Sequence, residues 1–195
     1  HLYHDTQGCL PPCGIFLSVR PDQAWHSLFT VILPYLDQQN LYSQFQIDLP
    51  IAWNLPAPIS PLNIRALMAD VPTYLCPSAP GGRADYGAAG LFPVPPGLLV
   101  AGRTDYSAVN GVDPNFADLI GSGNAGGRTG LLQFNAARRI RDCVDGTSST
   151  AVIWEDAARP QLWQLGRPVP GQFSSGPAWA DMQSTFVING SDADG

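Results

Sequence analysis

The chain has no lysine and a single glutamate, Glu155, so its ten cations are all arginine and fifteen of its sixteen anions are aspartate. Lysine and glutamate populate exposed helix faces, whereas aspartate favours caps and turns. This bias excludes a protein made chiefly of long solvated helices. Charged residues amount to only 13%, about half the ordinary share. With a net charge of -6 and no basic cluster, no nucleic-acid partner is expected, because phosphate recognition needs concentrated cations. No apolar run reaches the length of about 18 residues that a membrane span requires, and no signal-peptide pattern is visible. Two residue types are plentiful. Twenty glycines and nineteen prolines, one residue in five, point to a loop-rich chain, and the length of 195 residues suits one domain with a sizeable core.

Four cysteines, Cys9, Cys13, Cys76 and Cys143, leave three pairings open. Disulfides are the favoured reading, with Cys9–Cys13 and Cys76–Cys143 the simplest arrangement. Free buried thiols remain an alternative. So does a zinc half-site at the C-x3-C of Cys9 and Cys13, although no C-x2-C pair exists to complete it.

Along the chain, "HLYHDTQG" reads as the end of a helix closed by Gly8, the expectation being that more helix precedes it. After the apolar "IFLSV", the spacing of Trp25, Leu28, Phe29, Ile32, Tyr35 and Leu36 predicts a helix capped by Asp22, with Pro34 kinking it or starting a new turn. Leu41, Tyr42 and Phe45 form a second apolar side, and Ser60-Pro61 resembles an N-cap and first helical residue. Residues 22–69 are thus expected to be helical. Residues 70–195 are expected to be rich in strands and loops, with strands in "VPTYLCPSAP", "TDYSAVNG", "GLLQF", "STAVIWED" and "STFVING". Helices first and strands later predict an α+β fold with an antiparallel sheet.

Candidate chemistry is sparse. His1 and His4, one helical turn apart beside Asp5, could form half a metal site, but a helix end also accounts for them. His26 is read as a surface or packed histidine. "GTSST" lacks a nucleophile-elbow spacing and is read as a turn leading into a strand, and "GSGNAGG" lacks the lysine of a phosphate loop. Glu155 and Asp156, adjacent on a strand, point to opposite faces and cannot act as a facing acid pair. Asp192 and Asp194 alternate like the beginning of a calcium loop, so calcium is the one cofactor considered. Trp154 is expected in the core. Trp163 and Trp179 lie in loop-like sequence and are the candidates for stacking a sugar or another extracellular solute. Thr104 to Asn110 is read as a strand and turn, with Asp105 and Asn110 shaping its ends.

Taken in order, "YHDTQGCLPP", "AWHSLFTVILPYLDQQNLYSQF", "VPTYLCPSAP", "TDYSAVNG" and "RIRDCVDGTSSTAVIWED" resemble the prepilin-like extracellular proteins of unknown function that are abundant in planctomycetes and carry an H-x9-DG tail. That tail is not among the matching stretches. The resemblance implies a type IV pilin or type II secretion pseudopilin architecture: a long N-terminal helix, whose residues 1–8 here would be the end, packed on an antiparallel sheet with loop-rich insertions. It further implies a non-enzymatic headpiece at the cell surface or in the periplasm. Such a subunit is anchored in the membrane by its N-terminal helix before it self-associates into a filament or pseudopilus. The alternative that it leaves open is an extracellular solute- or glycan-binding module.

Overall fold

The computed structural model describes residues 2–18, 23–49, 60–80, 82–119, 121 and 129–189. Asp22, Asp192, Asp194, His1 and Trp53 lie outside them, as does the "GSGNAGG" segment beyond Gly121.

The first helix, α1 (Leu2–Gln7), buries no side chain and ends at Gly8, whose left-handed φ of 68° lets its N–H reach the His4 carbonyl at 2.8 Å. Two of its side chains meet Tyr35: the Tyr3 ring lies 4.8 Å from that of Tyr35, and the Gln7 amide donates to the Tyr35 hydroxyl at 2.8 Å. The antiparallel hairpin of β1 (Gly14–Ser18) and β2 (Gln23–Ser27) follows. The outer edge of β1 is occupied by one side chain. Asn135, held at φ 51°, accepts from Phe16 N at 2.7 Å and donates to Phe16 O at 3.0 Å, imitating a strand rung.

The helix expected from residue 22 begins later. Trp25 and His26 lie on β2, and the true N-cap is Ser27, whose hydroxyl accepts from Thr30 N at 3.2 Å to open α2 (Leu28–Ile32). The helical spacing from Trp25 to Leu28 is misleading, because in β2 the buried face is that of Ala24 and His26 and Trp25 lies on the other. Pro34 does start a new turn, the 3-10 segment Leu33–Leu36. Then come α3 (Gln39–Tyr42) and α4 (Pro61–Leu67), the latter capped by Ser60 as expected, with Asn63 N donating to its hydroxyl at 3.3 Å.

Beyond residue 70, "VPTYLC" is a 3-10 turn at Pro72–Tyr74 rather than a strand, since its proline opens a helical turn and removes a ladder donor. The short pair β3 (Ala84–Asp85) and β4 (Val100–Ala101) precedes the principal strand, β5 (Tyr106–Val112), and α5 (Pro114–Leu119). "GLLQF" (130–134) is not a strand: Phe134 makes an isolated bridge to Gly14, and Thr129 just before it bridges Gly111. β6 (Ile153–Glu155), β7 (Gln161–Gln164), β8 (Arg167–Phe173) and β9 (Thr185–Ile188) complete the described elements. In the three-stranded sheet, ordered β6-β5-β9, β6 runs antiparallel to β5 but β9 runs parallel to it. Helix and sheet are mixed, as expected, but this sheet is not purely antiparallel. Strand direction depends on the path of the chain between strands, which local composition does not encode.

Two apolar clusters fill the interior. The larger gathers Phe29, Leu33, Leu67, Tyr74, Tyr86 and Trp179; the smaller gathers Cys13, Leu28, Ala108 and Leu132, and Ile32 packs against both. Each fully buried large apolar side chain contributes about 1.5–3 kcal/mol. Between α4 and the strands the backbones come so close that a Cβ on Gly102 would meet the Ala69 carbonyl oxygen at 2.0 Å and the Trp179 indole nitrogen at 2.7 Å. Gly102→Ala should therefore lower the unfolding free energy by about 1–3 kcal/mol through forced displacement. An unchanged urea midpoint would show that the two segments part without cost.

Candidate functional site

The sequence placed candidate ligand contacts in Trp163 and Trp179 and read "TDYSAVNG" as a strand and turn. The structure separates them. Trp179 is fully buried, with its indole N–H donating to Ala69 O at 2.8 Å and its ring 5.6 Å from Phe45 and 6.3 Å from Tyr74. It is a core residue and cannot stack a ligand. Its glycine- and proline-rich flanks resembled a surface loop, but they fold inward, with Trp179 N bonded to Gly102 O at 3.1 Å. Trp154, expected in the core, is instead half exposed at 50%, its ring 6.4 Å from Phe186 on the sheet surface.

Trp163 is the candidate that reaches the surface. It sits on β7, whose hairpin partner β8 is reached through Leu165 and Gly166, both at positive φ (48° and 73°), the geometry of a tight two-residue connection. The side chain is 43% exposed and borders a shallow hollow of about 250 Å³ with Cys76, Pro80 and Glu155. Sequence reading missed this hairpin because Leu-Gly replaces the usual Asn-Gly and because Pro168 and Pro170 interrupt the strand.

Around Thr104–Asn110 the polar groups are spent within the fold. Thr104, Asp105 and Ser107 are fully buried. One Asp105 carboxylate oxygen accepts from Cys76 N at 2.9 Å and from the Arg103 guanidinium at 3.1 Å; the other accepts from Ala158 N at 3.0 Å. Arg103 also donates to the Pro80 carbonyl. Asp105 thus ties three chain segments together, a role that a single exposed-looking Asp in the sequence did not signal. Asp156, on the next segment, accepts from Ser107 at 3.3 Å and pairs with Arg159 at 3.3 Å, while Glu155 beside it stays exposed, so the two carboxylates do not face each other.

A second buried polar group was also missed. The Tyr86 hydroxyl donates to Asp181 at 2.7 Å, and Gln183 N donates to the other carboxylate oxygen at 2.8 Å. Burial outweighs these bonds and the nearby Arg159 charge, raising the Asp181 pKa from 3.8 to about 6. A folded-state pKa above the unfolded value gives stability that is complete below pH 3.8 and lost as pH rises through 6. Asp181→Asn should therefore improve relative to the natural chain by about 2–3 kcal/mol between pH 4 and pH 7. Urea titrations of both proteins across that range measure it, and a pH-independent difference would refute the linkage.

His26 is a packed histidine. Its Nε2 lies 2.7 Å from the Ile47 carbonyl and so carries the proton, Nδ1 is buried without a partner, and burial lowers the pKa. His4 Nδ1 lies 3.7 Å from Asp5. Among the described residues no group of three or more His, Cys, Asp or Glu side chains is gathered, and no helix is long and apolar enough to cross a membrane.

The expected disulfides are not formed. Cys9, Cys13, Cys76 and Cys143 are all free thiols. Cys13 is buried, its thiol 3.7 Å from Asn110 Oδ1 and pushed up to about 12 by burial, and Cys143 donates to Thr150 Oγ1 at 3.0 Å. Cys76 is held instead by its backbone N–H on Asp105. The pairing drawn from order along the chain ignored these separate environments.

The remaining feature of the surface is apolar. Between residues 153 and 187, Ile153, Trp154, Trp163, Leu165, Phe173 and Val187 are each between 39% and 76% exposed. They belong to β6, to the β7–β8 hairpin and its turn, and to β9. β6 and β9 are the outer strands of the principal sheet.

Compared with known proteins, residues 1–187 match the model of a family described as a protein of unknown function, DUF1559. No curated protein and no solved structure matches the chain.

Proposed function

The chain belongs to the DUF1559 family, and from that premise we propose that it is the headpiece of a pilin- or pseudopilin-like subunit. It is displayed outside the cell, anchored in the membrane through a preceding helix before assembly, and acts through contacts between copies rather than by covalent chemistry. The observation that supports this reading is the run of exposed apolar side chains over 153–187. Singly exposed apolar residues are ordinary; Ile153, Trp154 and Val187 on the two outer strands of one sheet, with Trp154 against Phe186, suit a surface that another subunit covers. The low charge suits close packing of many identical copies, since a smaller charge density means less mutual repulsion.

A photo-crosslinking amino acid at position 154, introduced into the full-length protein in its own cells, tests the assignment. The expected product is a ladder of homopolymers recovered with sheared surface material. Trp154→Asp combined with Val187→Asp should abolish the ladder while leaving the fold intact, because both side chains are exposed. Monomers alone, under conditions in which the cells make surface filaments, would refute it.

One observation favours a second reading. Trp163, next to Glu155 above the small hollow, offers an aromatic face and a carboxylate, a pairing suited to a glycan or similar extracellular solute. A glycan array separates the readings: capture that Trp163→Ala removes supports binding, and capture unchanged by that variant dismisses it.

A further inference from the structure

A cleft of about 560 Å³ opens where β5 and β9 end. Its size falls within the range of small-molecule sites. The reading above makes no use of it. From one side it is floored by the end of β5 and the Gly111–Thr129 bridge, with Gly130 N bonded to Asn110 O at 2.9 Å.

The opposite lip, residues 138 to 151, is fixed before any ligand arrives. Asp142 accepts from Arg139 N at 2.8 Å, Ser149 N donates to Gly146 O at 3.0 Å, Thr150 Oγ1 donates to the same carbonyl at 3.0 Å, and the Cys143 thiol donates to Thr150. The "GTSST" turn, idle in any hydrolase scheme, is part of this lip. A lip ordered in advance lowers the entropy cost of binding.

Two charged groups on the cleft wall have no use within the fold. Arg138 and Asp145 line it, and neither side chain has an ion-pair or hydrogen-bond partner among the described residues. Beside them the wall turns apolar at Leu131, Val144 and Ile188, and Val144 is 89% exposed.

Of the wall's three charged side chains Asp142 is engaged by Arg139 N, which leaves one cation, one anion and an adjacent apolar wall, a match for a small zwitterion with an aliphatic side chain. We propose that this cleft binds a free α-amino acid of the leucine type. The ligand carboxylate meets Arg138, whose planar fork suits a carboxylate. The ligand ammonium meets Asp145, and the side chain covers Leu131, Val144 and Ile188. This site is independent of subunit packing, so either assignment can fail without the other.

Isothermal titration of the 195-residue chain with L-leucine, N-acetyl-L-leucine, L-leucinamide and glucose tests the proposal. Leucine should bind with a Kd of about 1 mM or tighter, and each blocked derivative about tenfold or more weaker, since each lacks one charge. Arg138→Gln should weaken leucine to the level of leucinamide, and Asp145→Asn to the level of the N-acetyl compound. Both positions are exposed, and thermal melts of the variants confirm folding. No heat with leucine up to about 10 mM, equal binding of the blocked derivatives, or stronger binding of glucose would overturn the proposal. Leucine binding that neither variant alters would overturn it too, by placing the ligand elsewhere.

Discussion

Asp105→Asn should lower the unfolding free energy by about 3–5 kcal/mol, the cost of breaking a buried ion pair from one side. The carboxylate is fully buried and accepts from Cys76 N, from Ala158 N and from Arg103. An amide turns one acceptor into a donor aimed at groups that are themselves donors. It also leaves Arg103, only 6% exposed and with its Nε already unpartnered, without its counter-charge. An exposed pair would be worth at most about 1 kcal/mol, so the magnitude decides whether burial is what makes Asp105 matter. Urea unfolding measures it, and a loss below about 1 kcal/mol would remove Asp105 from its place as a tie. A control separates the tie from the charge. Replacing both partners by apolar residues, Arg103→Met with Asp105→Leu, should cost less than the sum of the single changes, because neither charge is then stranded.

Trp179→Ala should cost about 3–5 kcal/mol as well, for a different reason: the ring is the largest fully buried side chain, and its loss leaves a cavity among Phe45, Tyr74 and the Ala69–Gly102 contact. Trp179→Phe divides the effect. It keeps much of the apolar volume but leaves the Ala69 carbonyl without its indole donor, and should cost about 1–3 kcal/mol. If the alanine variant lost no more than the phenylalanine variant, the cavity would have collapsed and the core would be softer than its packing implies. The Trp179 carbonyl, which alanine retains, accepts from the Ser27 hydroxyl at 2.6 Å, so a backbone shift into the cavity should loosen the start of α2. Hydrogen exchange at Thr30 reports on that.

The sequence announced features whose cause is local. Gly8 at a helix end, Ser60-Pro61 at a helix start, Pro34 opening a new turn and the strand at Tyr106–Val112 all rest on steric or hydrogen-bonding properties of a few neighbouring residues. It was silent where distant segments decide. Trp163 and Trp179 sit in similar glycine- and proline-rich surroundings, yet one is half exposed and the other sealed. Their difference lies in what packs against them, namely Ala69, Gly102, Phe45 and Tyr74 for Trp179 and the rim of a shallow hollow for Trp163. Asp105 looked like any turn aspartate because its partners lie 29 and 53 residues away. The cysteines misled for the same reason, since order along a chain says little about proximity. Of the cleft at the end of β5, only the "GTSST" turn was legible, and its neighbours Arg138 and Asp145 gave no signal until β5 supplied the floor.

Asn135 has one more effect. By filling both hydrogen-bonding positions of Phe16 with its own amide, it leaves a foreign strand nothing to zip onto along that margin of the first hairpin. A strand arriving from another molecule meets an occupied rung at Phe16, whereas β6 and β9, the two outer strands of the principal sheet, carry the exposed Trp154 and Val187.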